Sequence, residues 1–338
     1  MIETDLPVVQ APMAGSQGSA LAIAVSAAGG LGSLPCALLT PDAIRAELSA
    51  ITSATPKAYN VNFFVHREPA VDDERETAWR TMLASYYREL GVDQAAIPAQ
   101  AGRTRFDDET AAVLEAFRPP VVSFHFGLPA PELVRRVKSW GSKVLASATT
   151  VEEARHLEAR GADAVIAQGL EAGGHRGMFL TEDLSTQIGT LALVRQVVQA
   201  VRVPVIAAGG IADAAGTRAA LALGAAAVQV GTAYLTCPEA KTSAVHRGAL
   251  EAPGPVVTAL TNLFTGRPAR GVVNRLMREI GPMNAAAPAF PLAAGAITPL
   301  RAKAEAQGRG DFTGLWAGQY VRRGPDLPAA QLTRELAT

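Results

Sequence analysis

Cysteine is almost missing from this sequence: Cys36 and Cys237 are the whole supply in 338 residues. Two thiols so far apart suit neither a disulfide framework nor a metal knuckle, so no metal is expected and a reducing cytoplasm is the natural compartment. Charge of one sign is missing too. Lys and Arg number 31, Asp and Glu 31, and no basic run or stripe stands out, which argues against a nucleic-acid ligand. Long apolar runs are absent. The stretch Ala20–Ala28 is short and broken by Ser26, and the opening Met-Ile-Glu-Thr-Asp carries no basic segment, so neither a membrane span nor a signal peptide is read. Aromatic residues make up only 5%. The 49% hydrophobic content therefore rests on Ala, Val and Leu, which suits helix packed on sheet better than a β-sandwich.

Short apolar runs alternate with amphipathic helical patterns up to about residue 250. Eight candidate strands result: Leu6–Met13, Gly32–Cys36, Tyr59–Val65, Val121–Phe126, Lys143–Ala148, Ala164–Gln168, Val203–Ala208 and Ala227–Leu235. Most are continuously apolar, as parallel strands buried on both faces must be. Helix starts are marked by Thr40-Pro41-Asp42, by a capping box at Thr150 with Glu153 reaching back, and by Pro131, Gly189 and Asp213. Gly141, Gly161 and Gly224 follow helical runs, where a left-handed residue is cheap. Eight strands without a G-x-G-x-x-G turn after the first predict a closed (β/α)8 barrel over residues 1–250 rather than a doubly wound sheet. The segment 67–120 reads as an insertion with helical patterns at Asp72–Leu90 and Asp107–Phe117. Residues 251–338 read as a helical lid over the barrel mouth, with helices around Arg270–Ile280, Pro299–Ala306 and Gly314–Tyr320.

Two glycine turns carry the first functional signal. Strand seven runs into Ala208-Gly209-Gly210-Ile211, with Asp213 opening the next helix, and strand eight runs into Gln229-Val230-Gly231-Thr232. Either turn alone is only a tight corner. On consecutive last strands of a barrel they form a phosphate site, because glycine lets backbone N–H groups close on an anion. The loop after strand six, Gln168 to Gly177, is glycine-rich around His175, a side chain that exchanges protons near neutral pH. No second His or Cys stands at ligand spacing, so His175 is not read as a metal ligand. His125 ends strand four in Ser123-Phe124-His125-Phe126-Gly127, either as a hydrogen-bonded core histidine or as a mouth-facing one. Ala11, Pro12 and Met13 close strand one, and Asn62 lies in strand three with both donors and an acceptor to offer a polar ring edge. Cys36 is read as packing.

Gln10-Ala11-Pro12-Met13, Asn60-Val61-Asn62-Phe63, Ser123 to Gly127 and Gln168 to Gly177 together resemble the successive motifs of nitronate monooxygenases, formerly 2-nitropropane dioxygenases. The tail segments Phe264 to Gly271 and Leu315 to Gln319 are also similar to that family, so the resemblance spans nearly the whole chain. It implies FMN at the barrel mouth. Ala11, Pro12, Met13, Asn62, Gln168 and Gln229 would line its ring or ribityl chain, with Gly318 and Gln319 contributing from the tail. Gly173 and Gly174 would approach the ribityl and phosphate side, and Gly209, Gly210, Gly231 and Thr232 would hold the phosphate. It further implies that alkyl nitronates such as propionate 3-nitronate react with dioxygen to give a carbonyl compound and nitrite. His175 and His125 would bind the nitro oxygens, and His175 would take a proton from a neutral nitroalkane. Phe290-Pro291 stands where Tyr-Pro is expected, which removes one hydroxyl from the substrate side. A small nitronate and dioxygen are the expected partners, and a homodimer is compatible. Two alternatives remain open. One is a flavin-dependent enoyl-acyl carrier protein reductase or another NAD(P)H-using FMN reductase, and the other is a non-catalytic barrel that binds a phosphate ligand. An IMP-dehydrogenase-like enzyme is disfavoured, since no cysteine loop follows strand six.

Overall fold

The apolar runs do become parallel strands, and the reason they can is that each is covered on both faces. The structure is a computed structural model that describes residues 4–97, 105–322, 324 and 326–338. Residues 1–3 of the N-terminal stretch and 98–104 of the insertion lie outside the described residues. The strands are β1 (Val8–Gln10), β2 (Gly32–Pro35), β3 (Tyr59–Phe64), β4 (Val121–His125), β5 (Lys143–Ala148), β6 (Ala164–Gln168), a short β7 (Gly174–His175), β8 (Val205–Ala208), β9 (Ala227–Val230), β10 (Thr258–Thr261) and β11 (Ala269–Val272). Eight of them form one parallel sheet in the order β1-β9-β8-β6-β5-β4-β3-β2. Its ends meet where Leu31 N donates to Val8 O at 2.8 Å and Gln10 N to Leu31 O at 2.9 Å, so the sheet closes into the expected (β/α)8 barrel. Val9, Leu31, Leu145, Ile166 and Ile206 fill the interior, and the larger core lies between strands and helices.

The helix signals hold with one exception. Thr40 accepts from Ala43 N to cap α2 (Pro41–Ala54), and Asp213 accepts from Gly216 N to cap α8 (Ala214–Ala222). Thr150 caps α6 (Val151–Ala159), but Glu153 does not complete a capping box. Its carboxylate is fully buried and accepts instead from Thr149 N at 2.7 Å, Thr149 Oγ1 at 2.8 Å and Leu180 N at 3.2 Å, tying the loop after β6 to the helix.

Strand ends are shorter than the apolar runs that contain them. The eighth run stops at Val230, and Thr232–Tyr234 form a 3₁₀ turn. The segment 67–120 is less of an insertion than its length suggests. Its second helix, α4 (Asp108–Phe117), packs between α2 and α5 (Pro131–Ser139) and is the barrel's own helix after β3. Only α3 (Asp73–Leu90) is extra, and it packs on α11 (Ala293–Glu305).

The C-terminal region departs most from a set of helices. Arg270 lies in a strand, β11, which pairs with β10 and β7, and the helix that follows, α10, covers only Arg275–Ile280. Gly314–Tyr320 is not helical, and Trp316 bridges to Gly271 as an extended strand does. The last helix, α12 (Ala329–Leu336), packs against α1 (Ser19–Ala27) and α8, far from any lid position, and supplies the barrel's outer ring from the end of the chain.

Candidate active site

The C-terminal ends of the barrel strands surround a cleft of about 610 Å³. Active sites of this fold sit at that end. The cleft gathers nearly every residue singled out above: Ala11, Pro12 and Met13 after β1, Asn62 from β3, His125 from β4, Gln168 at the end of β6, and Gly173, Gly174 and His175 after it. Gly209 and Gly210 follow β8, Gln229 lies in β9, and Gly231, Thr232 and Gly318 complete the wall. Gln319 is the exception. Its side chain is exposed and only its backbone takes part, Gln319 N donating to Glu171 O at 2.9 Å.

The glycine loop that carries His175 is not loose. Gly174–His175 pairs antiparallel with β11, His175 opposite Ala269, and Arg176 N donates to Pro268 O at 2.8 Å. The His175 carbonyl accepts from Gln168 Nε2 at 3.0 Å and from His125 Nε2 at 3.1 Å, while Gly177 N donates to Gln168 Oε1 at 2.8 Å. Arg176 is fully buried and donates to Gly169 O and Gln168 O, both at 2.8 Å, and to Gln187 Oε1 at 3.0 Å. A guanidinium can be buried here because all three of its nitrogens donate to fixed acceptors. The imidazole of His175 is left half-buried with Nε2 at 2.9 Å from Thr265 Oγ1.

His125 has a different character from the one expected. A carbonyl only accepts, so Nε2 carries the proton, and Nδ1 accepts from Ser147 Oγ at 3.0 Å. Both ring nitrogens are spent inside the protein, which gives His125 a supporting place behind the His175 loop rather than one on a substrate oxygen. Desolvation, with Arg267 and Arg176 nearby and only the His175 carbonyl opposing, holds its pKa down to about 4. Desolvation also holds the buried His246 down to about 4. A histidine kept neutral by the fold takes up its proton more readily when unfolded. Stability is therefore full above the ordinary value of 6.5 and falls as pH drops from there toward 4. The unfolding free energy is expected to decline across that window by on the order of 1 kcal/mol per pH unit for each histidine, and the denaturation midpoint with it. A midpoint unchanged between pH 7 and pH 5 would contradict this.

The opposite side of the cleft is built from glycine turns. Gly209 and Gly210 have φ of 123° and 68°, a region that only glycine enters freely. Gly173 has to be glycine for another reason: a Cβ there would lie 2.5 Å from the Ala317 carbonyl carbon and from Gly318 N. The Trp316–Tyr320 segment crosses these turns as a strap. Gly318 N donates to Thr232 Oγ1 at 2.9 Å, and Tyr320 OH to Asp213 Oδ2 at 2.7 Å. Gln229, in the cleft wall, has a buried Oε1 without a hydrogen-bond partner. An orphaned acceptor beside two glycine cradles fits a ligand that brings its own donors and a phosphate. Among the described residues no group of His, Cys, Asp and Glu is placed to hold a metal ion, and no helix is long and apolar enough to cross a membrane.

Several site residues were not singled out for the cleft by the sequence. Phe64, Phe264, Phe312 and Trp316 line it. Thr265 reaches His175 from 90 residues further along the chain. Arg176 looks like one more polar loop residue in the sequence, and its burial shows only in three dimensions.

The family model for nitronate monooxygenase matches residues 1–338. The chain belongs to the nitronate monooxygenase family. It is 45% identical over 332 residues to the nitronate monooxygenase of Pseudomonas aeruginosa, covering 98% of this chain and 95% of that one. It is 40% identical over 341 residues to the nitronate monooxygenase of Paraburkholderia phytofirmans, covering 99% and 92%. Among solved structures, nitroalkane oxidase from Streptomyces ansochromogenes matches with a TM-score of 0.91 and 42% identity over 99% of this chain and 95% of that one. FabK from Thermotoga maritima matches less well, with a TM-score of 0.73 and 29% identity over 99% and 92%. Membership in the nitronate monooxygenase family makes the chain an oxidoreductase with a TIM-barrel fold.

Proposed function

We propose that this nitronate monooxygenase relative binds FMN in the barrel-mouth cleft and oxidises alkyl nitronates with dioxygen to a carbonyl compound and nitrite. The observation that carries the reading is the pairing, within one cleft, of the Gly209–Gly210 and Gly231–Thr232 turns with the half-buried imidazole of His175. When bound, FMN would supply the redox chemistry, accepting electrons from the nitronate and delivering them to dioxygen.

The protein's own groups then divide the remaining work. The glycine turns and Thr232 hold the phosphate. Gln229 and Asn62 face the ring and ribityl chain with amides, and Gln168, whose amide is engaged by the His175 carbonyl and Gly177 N, completes that wall. Gln168, His125 and Arg176 fix the backbone of the His175 loop, so that the imidazole is presented in one place. His175 binds the nitro group and takes a proton at a ring nitrogen when the substrate is a neutral nitroalkane. The aromatic walls exclude water from the reacting carbon.

The purified protein should be yellow and release FMN, not FAD, on denaturation, since no dinucleotide turn exists to hold an adenylate half. Anaerobic addition of propionate 3-nitronate should bleach the flavin, and air should restore the colour with release of nitrite. Rapid anaerobic bleaching by NADPH together with indifference to nitronates would replace this reading with the reductase. A colourless protein that takes up no FMN would replace it with a non-catalytic barrel.

A further inference from the structure

Around His175 the cleft carries neutral polar groups, Thr265 among them, and a wall of rings, with no fixed positive charge. The His175 ring is 5.3 Å from Phe290, 5.5 Å from Trp316, 6.0 Å from Phe64 and 6.1 Å from Phe126, centroid to centroid. Ala294 and Ile297 on the cleft face of α11 continue this wall. The nearby guanidinium of Arg267 is withdrawn from the space, stacked 4.1 Å over the Phe126 ring and donating to the Met178 carbonyl.

Among the described residues lining the cleft, Arg301 carries the one fixed positive charge. It stands on the exposed outer end of α11, roughly 10 Å along the axis from Ala294 at about 1.5 Å per residue. Glu305, a turn further on, also lines the cleft and adds a carboxylate beside it. The inner end thus provides for one anion, the nitronate head at His175, and offers no cation to a second.

We infer that this inner end selects nitronates bearing an apolar chain over nitronates bearing a carboxylate, with the Phe64 and Trp316 rings and the Ala294 and Ile297 side chains as the specificity surface. The inference rests on the nitronate reading of the site and names the substrate class within it. A carboxylate pushed among these rings would lose its hydration, meet the negative faces of the π systems and find no counter-ion. An alkyl chain in the same place gains about fourfold in binding for each methylene it buries.

A matched pair of substrates tests this on the unmodified holoenzyme. Propionate 3-nitronate and the nitronate of 3-methyl-1-nitrobutane have the same shape, an isopropyl group replacing the carboxylate. The branched alkyl nitronate is expected to have a kcat/KM at least tenfold higher, and the value should climb along the ethyl, propyl, butyl nitronate series. Succinate and 4-methylpentanoate repeat the comparison without turnover, a carboxylate standing for the nitronate head. By calorimetry, 4-methylpentanoate should bind at least tenfold more tightly. Ala294→Lys, which puts an ammonium on the wall, should narrow both ratios. Equal or reversed preference in both pairs overturns the inference. If neither nitronate is consumed but 4-methylpentanoate still wins, the apolar selection stands and the nitronate reading falls.

Discussion

The His175→Asn protein is expected to lose roughly 10²- to 10⁴-fold more activity on neutral nitroalkanes than on preformed nitronates. The factor is the usual contribution of a general base, and only the neutral substrate has a proton to give up before oxidation. Asparagine keeps a donor for the nitro group but has no basic nitrogen at neutral pH. The substitution isolates the side chain well. The bonds that hold this loop run through the His175 carbonyl, which accepts from Gln168 Nε2 and His125 Nε2, and through the β7–β11 pairing. All of these survive a change of side chain, so FMN content and the unfolding midpoint should stay near wild type. What is lost locally includes the contact of Nε2 with Thr265 Oγ1 and the ring contacts with Phe290 and Trp316. The measurement is initial rate against both forms of the same nitroalkane, the nitronate prepared in base and diluted into the assay. Equal losses on the two would make His175 an orienting group only. No loss on either, with FMN still bound, would remove it from the chemistry. His125 would not inherit the role, because Ser147 and the His175 carbonyl already occupy both of its nitrogens.

The difference between those two histidines was not legible in the sequence. Both stand in motifs at the ends of strands, and both were credible as groups on the substrate. What separates them is the partner each meets in space, Ser147 on a neighbouring strand for one and Thr265 on the C-terminal hairpin for the other. The barrel itself was legible because parallel strands buried on both faces leave a continuous apolar mark, and the Gly209–Gly210 turn because positive φ restricts the residue type. The C-terminal region was misread where helix and strand patterns overlap. Gly314–Tyr320 is small and apolar enough to pass for a helix, yet its conformation is set by a bridge from Trp316 to Gly271 and by Gly318 against Thr232. Such pairings join distant parts of the chain and leave no local period. The eighth outer helix escaped for a similar reason: α12 comes after a whole mouth-covering segment, and nothing near Ala329 says that it returns to α1 and α8.

Gly231→Asp should weaken FMN binding by about 10³-fold. Of the glycines at the proposed phosphate site, Gly231 is the cleaner position for a charge test. Gly210 has a φ of 68°, so any side chain there strains the backbone and confuses the result. Gly231 has a φ of −117°, which other residues adopt, and a Cβ built on it would lie 3.3 Å from Ala11 Cβ and 3.7 Å from Met13 Sδ. That is tight but needs a shift of only a few tenths of an ångström. The aspartate carboxylate would then stand near the phosphate in a partly buried cleft. Two like charges about 4 Å apart at an effective dielectric constant near 20 repel by roughly 4 kcal/mol, which is about three decades in Kd. Asp213 is turned away from the cleft wall, its carboxylate accepting from Gly216 N and Tyr320 OH. Gly231→Asn is the control, with the same volume and no charge, and it should lose far less than the aspartate variant. Flavin-to-protein ratios after gel filtration, followed by FMN titration of the apoproteins, give the comparison. Equal losses in the two variants would mean that bulk rather than charge displaces the cofactor. Full retention in Gly231→Asp would move the phosphate away from the β9 turn and, with it, the orientation of the ring against His175.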